Sequence, residues 1–190
     1  EEIFLVANFD VFVDYALDHL SSPIFWGFDF DEPNEWSMLV PYLLNNRSGR
    51  VFIPSSNKGR EFVGLGKCDL LVGDGFTNAA IRALACGHNV KKYENEDNRS
   101  ALWEDLEDDT FDAIIVEMSS GGIDLRDFTV EDCFNACNRI VKDGGEILLC
   151  LSKKSVLSDE TAFLRQYVSR ERTLQTVIQL PSGKILFHFV

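Results

Sequence analysis

The stretch Phe111-Asp112-Ala113-Ile114-Ile115-Val116, followed by VEDCFNACNRIVKDGGEILLCL over residues 130–151, decides the fold. The first piece contains the short apolar run Ala113–Val116, typical of a buried strand. The second has helical apolar spacing over Val130–Val141 and ends in another apolar strand over Glu146–Leu151. A strand, a helix and a second strand in this order predict two parallel strands with the helix packed on the sheet.

The same alternation continues on either side of this unit. The other strand candidates are Arg50–Ile53, Cys68–Gly73, Asn89–Tyr93, Thr173–Gln179 and Lys184–Val190, and the other helix candidates are Lys58–Leu65, Thr77–Cys86 and Asp159–Ser169. Such alternation predicts an α/β fold with a mostly parallel sheet and helices on both faces. Only residues 181–183 separate the last two strands, which is too short for a parallel crossover, so we expect an antiparallel final strand.

The chain divides into a helical lead-in over residues 1–46 and an α/β domain over residues 47–190. The lead-in has apolar residues near helical spacing between Ile3 and Leu20, and a second helix is predicted over Trp36–Asn45. A chain of 190 residues with 45% hydrophobic residues is long and apolar enough for one folded core. Because it stops inside an apolar strand at Val190, we expect a fragment or an unusually short relative.

Composition narrows the classes of partner. The formal net charge of −13 has the wrong sign for a protein that binds nucleic acid unaided, so we expect DNA contact only with partner subunits or missing segments. The acidity also has a simpler interpretation: the net negative charge keeps the protein in solution. The sequence has no apolar run of 18 residues and its first residues are acidic, so we predict a cytoplasmic protein without a membrane segment.

The five cysteines contain no CxxC pair, and the three histidines are scattered far from one another. Cys133 and Cys137 lie four residues apart, on one face of a predicted helix. We interpret the cysteines as reduced thiols of the core and predict no metal site.

Two segments resemble a known family. They are residues 134–149, with the Lys-x-Gly-Gly turn between a helix and a strand, and residues 162–183, with a helix, a strand and Leu-Pro-x-Gly. From Arg50 onward the chain resembles the N6-adenine DNA methylases, the modification subunits of type I restriction systems. The resemblance implies a Rossmann-like sheet of the S-adenosylmethionine-dependent methyltransferase type and S-adenosylmethionine as cofactor.

That family holds the methionine end of the cofactor over a loop after the first strand, with the pattern Asp-Pro-x-x-Gly-x-Gly. Residues 53–59, IPSSNKG, correspond to it, with isoleucine at the acidic position and asparagine at the middle glycine. The resemblance implies cofactor contacts from Pro54, Ser55, Asn57 and Gly59. The alternative is an ordinary turn between a strand and a helix, with serine or asparagine capping the helix.

Two acidic residues correspond to positions that hold the nucleoside in the family. Asp74 follows the second strand, where a carboxylate accepts hydrogen bonds from ribose hydroxyls, as in dinucleotide-binding folds. Asp97 follows the third strand, where the family places a carboxylate near the adenine ring. Asp74 next to glycines is also typical of a turn, and acidic loop residues are common in a chain this acidic.

The acceptor position follows the fourth strand, where the family has Asn-Pro-Pro and an aromatic residue. Here Glu117 stands for the asparagine, Met118 and Ser119 for the prolines, and Ser120 for the aromatic ring. Glu117 is the predicted catalytic residue, because a carboxylate accepts hydrogen bonds from an amine as an amide oxygen does. Two hypotheses stay open: a methyltransferase that acts near Glu117, or an inactive methylase-fold module that binds a partner protein.

Overall fold

The computed structural model describes residues 39–44, 48–56, 59, 61–62, 65–94, 102–118, 128–151, 172–180 and 184–190. Three helices and seven strands lie in these ranges. In chain order they are α1 Val40–Leu43, β1 Gly49–Ser55, β2 Cys68–Asp74, α2 Phe76–Ala85, β3 Asn89–Lys92, β4 Phe111–Met118, α3 Val130–Ile140, β5 Val141–Leu151, β6 Leu174–Gln179 and β7 Ile185–Phe189.

The seven strands form one sheet in the order β3-β2-β1-β4-β5-β7-β6. Strands β1 to β5 are parallel to their neighbours in this group, whereas β7 is antiparallel to both β5 and β6. The mostly parallel sheet with an antiparallel last strand is therefore confirmed. We call the side of the sheet where β1 to β5 end the carboxyl edge, and the side where they begin the amino edge.

Helices cover both faces of the sheet, as predicted. On one face, α3 and the segment 102–106 pack against a cluster that includes Phe52, Ile114 and Leu149. On the other face, α1 and α2 pack against a cluster that includes Ile53 and Ile115. Neighbouring residues of a strand point to opposite faces, so Phe52 and Ile53 belong to different clusters.

Local sequence explains the start of α3. The Thr129 side chain accepts a hydrogen bond from the Asp132 N–H, and the Asp132 carboxylate accepts one from the Thr129 N–H. This capping box satisfies two backbone donors that a helix otherwise leaves without partners. The buried side of the helix carries Cys133, Phe134 and Cys137 at helical spacing, which orients it on the sheet.

Strand limits differ from the predicted ones. Strand β4 runs from Phe111 to Met118, so Glu117 lies in the strand rather than in the loop after it. Strand β5 begins at Val141, because Val141 already pairs with Phe111, and the register then shifts so that Ala113 pairs with Glu146. Gly144 has φ +70° between these two pairs, a conformation that favours glycine.

One predicted helix was wrong where the structure describes it. Within Lys58–Leu65, the described residues Gly59, Glu61 and Phe62 lie in turns. Gly59 has φ +74°, which a right-handed helix does not allow. The predicted helix Asp159–Ser169 and nearly all of the lead-in over 1–46 lie outside the described residues.

The cysteines are free thiols, and four of the five are buried. Burial, with a smaller contribution from nearby carboxylates, raises the pKa of Cys68 to about 11 and of Cys150 to about 12. In the described part of the chain, no group of three or more potential ligands is placed to hold a metal ion. Among the same residues, no helix has the length and apolar character needed to cross a bilayer.

Candidate functional site

The strand order places the switch point of the sheet between β1 and β4. From β1 the chain proceeds to β2 and β3 on one side of the sheet, whereas β4 and β5 lie on the other side. Over the described lengths of both strands, β1 and β4 pair only at Val51–Ala113 and Phe52–Ile114, and both strands continue beyond these pairs. Open α/β sheets bind their ligands at such a switch point, outside the carboxyl ends of the strands.

Glycines let the chain after β1 lie directly on the end of β2. A Cβ on Gly73 would come 2.1 Å from the Pro54 carbonyl oxygen, and a Cβ on Gly75 would come 2.3 Å from that of Ser56. The Ser56 N–H donates a hydrogen bond of 2.8 Å to the Asp74 carbonyl. Any larger residue at Gly73 would separate the two strand ends, so this close approach depends on glycine.

Asp74 is the last residue of β2, and its neighbour in the register of β1 is Ser55. Its side chain is exposed, whereas the preceding residues Val72 and Gly73 are buried. The structure thus brings together three predicted cofactor residues, Pro54, Ser55 and Asp74, at one point of the carboxyl edge. An exposed carboxylate there offers acceptors for two neighbouring hydroxyl groups, as a ribose requires.

The polar groups of the loop after β1 bond to one another. The Ser56 hydroxyl accepts a hydrogen bond of 2.9 Å from the Gly59 N–H and donates one of 3.0 Å to the Glu61 carboxylate. Ser56 and Glu61 are both buried. Neither Ser56 nor Glu61 is a predicted site residue, because nothing in the local sequence pattern indicates that their side chains turn inward.

Gly59 packs against Phe62 and against Ala79 of α2. A Cβ on Gly59 would lie 2.6 Å from the Phe62 ring and 3.1 Å from the Ala79 Cα. The space beside this glycine is therefore filled by the core and by α2. Packing within the protein therefore explains the need for glycine at residue 59, and no contact with a ligand is required to explain it.

Glu117 forms an ion pair across the sheet. Its carboxylate accepts a hydrogen bond of 2.5 Å from Lys184 Nζ, and the two side chains are 13% and 32% exposed. In the register, Glu117 lies beside Cys150 of β5, and the end of β5 at Leu151 lies beside Ile185. Lys184 thus reaches over β5 to the predicted catalytic position.

Sequence reasoning missed Lys184, although a signal was present. The last strand was predicted to be antiparallel, so its first residue had to lie at the same edge as the ends of the parallel strands. Lys184 directly precedes that strand. The remaining predicted site residues, Asn57 and Asp97, lie outside the described residues, as does the segment 119–127 after β4.

No protein-family model matches the sequence, and no curated protein matches it at a significant level. Several solved structures are similar. A methyltransferase from Geobacter sulfurreducens has a TM-score of 0.55 at 13% identity, over 95% of this chain and 87% of its own. An S-adenosylmethionine-dependent methyltransferase from Aquifex aeolicus has a TM-score of 0.54 at 12% identity, over 84% and 94%.

A third similar structure is the 1,6-didemethyltoxoflavin-N1-methyltransferase of Burkholderia thailandensis, described with bound S-adenosylhomocysteine. Its TM-score is 0.55 at 12% identity, over 95% of this chain and 85% of its own. The chain has the fold of the S-adenosylmethionine-dependent methyltransferases. At sequence identities of 12–13%, these structural similarities establish only the fold. They do not confirm the narrower resemblance to N6-adenine DNA methylases.

The methyltransferase fold implies a cofactor, and the described residues fit it in part. Asp74 fits the ribose, because its carboxylate is exposed at the end of β2. The loop after β1 fits the methionine end less well, since Ser56 is bonded to Glu61 and the space at Gly59 is filled.

Proposed function

We propose that this chain binds S-adenosylmethionine at the ends of β1 and β2 and is a protein of the methyltransferase type. The observation that carries the proposal is the exposed Asp74 carboxylate beside Ser55 at the carboxyl edge. Hydrogen bonds to a charged acceptor contribute about 1.5–3 kcal/mol, which is enough for one residue to decide whether a nucleoside binds. Pro54, Asn57 and Asp97 complete the proposed cofactor site, whereas Gly59, which packs on Phe62 and Ala79, is assigned to the shape of the loop.

The proposed acceptor lies near Glu117 on β4, across the switch point from the ends of β1 and β2. The resemblance to N6-adenine DNA methylases supports an exocyclic amine, such as that of adenine in DNA, as the acceptor class. Methyl transfer of this kind depends on the alignment of donor and acceptor more than on acid or base chemistry. The net charge of −13 opposes unaided contact with phosphates, so transfer to DNA would involve a partner subunit with basic residues.

A second candidate function is a methylase-fold module without transferase activity that binds a partner protein. The ion pair between Glu117 and Lys184 favours it, because the carboxylate at the acceptor position already has a cationic partner. Such a module retains the sheet of the methyltransferase fold but lacks transferase activity. The fold alone does not distinguish it from an enzyme.

Titration calorimetry with S-adenosylmethionine and with S-adenosylhomocysteine tests the cofactor proposal. We expect a dissociation constant on the order of 10 μM, weakened at least about tenfold in Asp74→Asn. The matched control is Asp143→Asn, an exposed aspartate near the amino edge, which should bind like the unaltered protein. Absence of binding at millimolar ligand, or equal loss in both variants, would overturn the proposal.

Methyl transfer is measured separately, with radiolabelled S-adenosylmethionine and an adenine-containing oligonucleotide in single-stranded and duplex form. Label incorporated into DNA and lost in Glu117→Gln would support an adenine methylase. Cofactor binding without incorporation, repeated in the presence of candidate partner subunits, would favour the module without activity.

A further inference from the structure

The two outermost strands of the sheet, β3 and β6, differ in how they protect their free backbone groups. Strand β3 carries the exposed lysines Lys91 and Lys92, and charged side chains of this kind prevent other chains from pairing with an outer strand. Strand β6, with the sequence LQTVIQ, contains no charged residue, no proline and no glycine. In the part of the chain that the structure describes, β6 pairs with β7 alone, so its other side is open to a further strand.

The bonding pattern of β6 identifies the backbone groups on this open side. The Leu180 N–H donates to the Lys184 carbonyl, so these two residues form a hydrogen-bonded pair of the hairpin. Bonded and non-bonded pairs alternate along an antiparallel ladder, and Ile178 therefore also bonds to β7. Val177 and Gln179 lie at the alternate positions, so they direct their N–H and C=O groups away from β7.

The side chains of β6 suit the close approach of a second strand. Val177 is 43% exposed, and its register partner Phe187 places it on the face of the sheet that carries α3. Gln175 and Gln179 are also exposed, and glutamine amides bond to one another across paired strands. Pairing at β6 would bury an apolar side chain and uncharged amides, and no charge would lose its water.

We propose that β6 pairs with β6 of a second copy of this chain, antiparallel and about a two-fold axis, so that the two sheets join into one. Rotation about an axis perpendicular to the sheet keeps each face on its own side, so opposed residues share a face. The axis then passes through a residue whose backbone groups point outward. The proposal rests on the geometry of the strand and is separate from the proposed cofactor site.

The sequence around β6 selects Val177 as the residue on the axis. A register centred on Gln179 would place Pro181 opposite Val177, and proline has no N–H to donate. A register centred on Gln175 would pair the strand at its irregularity, because the register with β7 shifts between residues 174 and 176. Centred on Val177, the strand places this valine opposite its own copy and Gln175 opposite Gln179 of the second copy.

Charge favours this strand as the contact between two copies. The net charge of −13 opposes self-association over most of the surface, but the sequence has no carboxylate between Arg172 and Lys184. Isologous pairing is the commonest form of homodimer, and a second copy presents the same uncharged strand in the direction that the axis requires. Strand β6 has six residues, whereas a stable interface has about 20–30 on each side, so we expect a dissociation constant on the order of 10–100 μM.

Sedimentation equilibrium between about 5 and 500 μM protein, in about 0.15 M salt, tests the proposal. We expect the average mass to rise from that of one chain toward that of two. In Val177→Lys two lysines would meet at the axis, so the dissociation constant should rise at least about tenfold. Thr77→Lys is the matched control, because it adds the same charge at an exposed residue of α2, and its dissociation constant should stay within about twofold.

Val177→Pro tests the backbone bonds separately from side-chain packing. The Val177 N–H points away from β7, so proline at this position removes a bond between copies and leaves the bonds of β6 to β7 intact. We expect the dimer to be lost and the urea midpoint of the single chain to change by less than about 10%. Val177→Thr keeps the N–H and the branched shape of the side chain, and it should dimerise within about threefold of the unaltered protein.

Amide hydrogen exchange of the unaltered protein, followed by NMR, does not depend on the folding of any variant. Between about 20 and 500 μM protein, the N–H groups of Val177 and Gln179 should exchange about threefold more slowly at the higher concentration. The Lys92 N–H is the internal control. It points away from β2, because the neighbouring Tyr93 N–H donates to the Val72 carbonyl, and its rate should not depend on concentration.

The mass of a single chain up to about 500 μM would contradict the proposal. So would a dimer that persists unchanged in Val177→Lys and Val177→Pro, since its interface would lie elsewhere, or an equal slowing of exchange at Lys92. Neither experiment contains S-adenosylmethionine, so the outcome at β6 and the outcome of the Asp74 titration do not depend on each other.

Discussion

The two edges of the sheet use polar side chains differently. At the amino edge, the buried Arg172 guanidinium donates four hydrogen bonds of 2.5–3.0 Å, and its acceptors are the Asn138 side chain and the carbonyls of Val141, Lys142 and Gly145. Arg139 similarly donates to the Trp103 and Leu106 carbonyls. At the carboxyl edge, Asp74 points to solvent, and Glu117 is held by a half-buried lysine.

The difference indicates which edge stabilises the fold and which edge is available to a ligand. Guanidinium groups at the amino edge bond to backbone carbonyls that no solvent or ligand replaces, so they join α3, β5 and β6. At the carboxyl edge, the Asp74 carboxylate faces water and the Glu117 carboxylate forms a salt bridge that can open, whereas the Glu61 carboxylate is buried in the loop after β1. Substitutions at the amino edge should therefore change stability, and those at the carboxyl edge should change binding.

The largest effect is expected for Arg172→Met. It leaves several buried acceptors without a donor, and we expect the free energy of unfolding to fall by about 3–4 kcal/mol in urea denaturation. The control is Lys91→Met on the exposed edge strand β3, which should change stability by less than about 0.5 kcal/mol. If Arg172→Met lowered the free energy of unfolding by less than about 1 kcal/mol, the proposed difference between the two edges would be contradicted.

Gly73→Ala should give the next largest effect, and it tests the carboxyl edge. Its Cβ would meet the Pro54 carbonyl, so we expect a loss of about 1–3 kcal/mol in the free energy of unfolding together with loss of S-adenosylmethionine binding. Gly87→Ala is the comparison, because it has φ +77° and open space around it, and it should cost about 1 kcal/mol. Gly87→Ala should also leave the binding of S-adenosylmethionine unchanged. Unaltered binding in Gly73→Ala would contradict the proposed cofactor site at the ends of β1 and β2.

His88 gives a smaller, pH-dependent effect at the amino edge. Its Nδ1 accepts the Cys68 N–H at 3.1 Å, so Nε2 carries the proton and donates to the Phe62 carbonyl at 3.0 Å. Burial lowers the pKa of His88, partly offset by the bond to Phe62. The neutral form is therefore the folded form, and its contribution is present above about pH 6.5 and is lost as the pH falls through the lower folded pKa.

The measurement for His88 is the free energy of unfolding in urea between pH 7.5 and pH 5. We expect stability to fall over this range in the unaltered protein and to fall less in His88→Gln, whose amide can bond to both partners but does not titrate. Identical slopes for the two proteins would show that other groups account for the pH dependence.

The smallest effect on stability is expected for Asp74→Asn. The side chain is exposed, so the free energy of unfolding should change by less than about 0.5 kcal/mol, although cofactor binding is weakened. Urea denaturation of the variant used in the titration checks this. A large loss of stability would mean that Asp74 supports the fold rather than a ligand, and would remove the sharpest difference between the edges.

Periodicity in the sequence was sufficient to predict much of the sheet. The apolar run at 113–116 and the pattern after Val130 predicted β4, α3 and β5, and the short connection at 181–183 predicted the antiparallel β7. These features can be predicted because they are local. The apolar pattern of a strand or helix lies within that element, and the length of a connection is read directly from the sequence. The position of Asp74 at the end of β2 was predictable for the same reason.

Contacts between distant segments were not predictable in this way. Glu117 and Lys184 are 67 residues apart, and they meet because β5 separates β4 from β7 and the register brings both to one edge. Arg172 finds its carbonyl acceptors 27–31 residues earlier in the chain. The turn at Gly59 also differs from the predicted helix, because its conformation depends on Phe62 and α2.

The sequence by itself determined the order of the strands and of helices α2 and α3, the direction of the last strand and the acidic residue that ends β2. The tertiary structure alone decided the partner of Glu117, the inward direction of Ser56 and Glu61, and the bonds of Arg172. The physical reason is that backbone preferences depend on near neighbours, whereas side-chain partners depend on the order and register in which the strands pair.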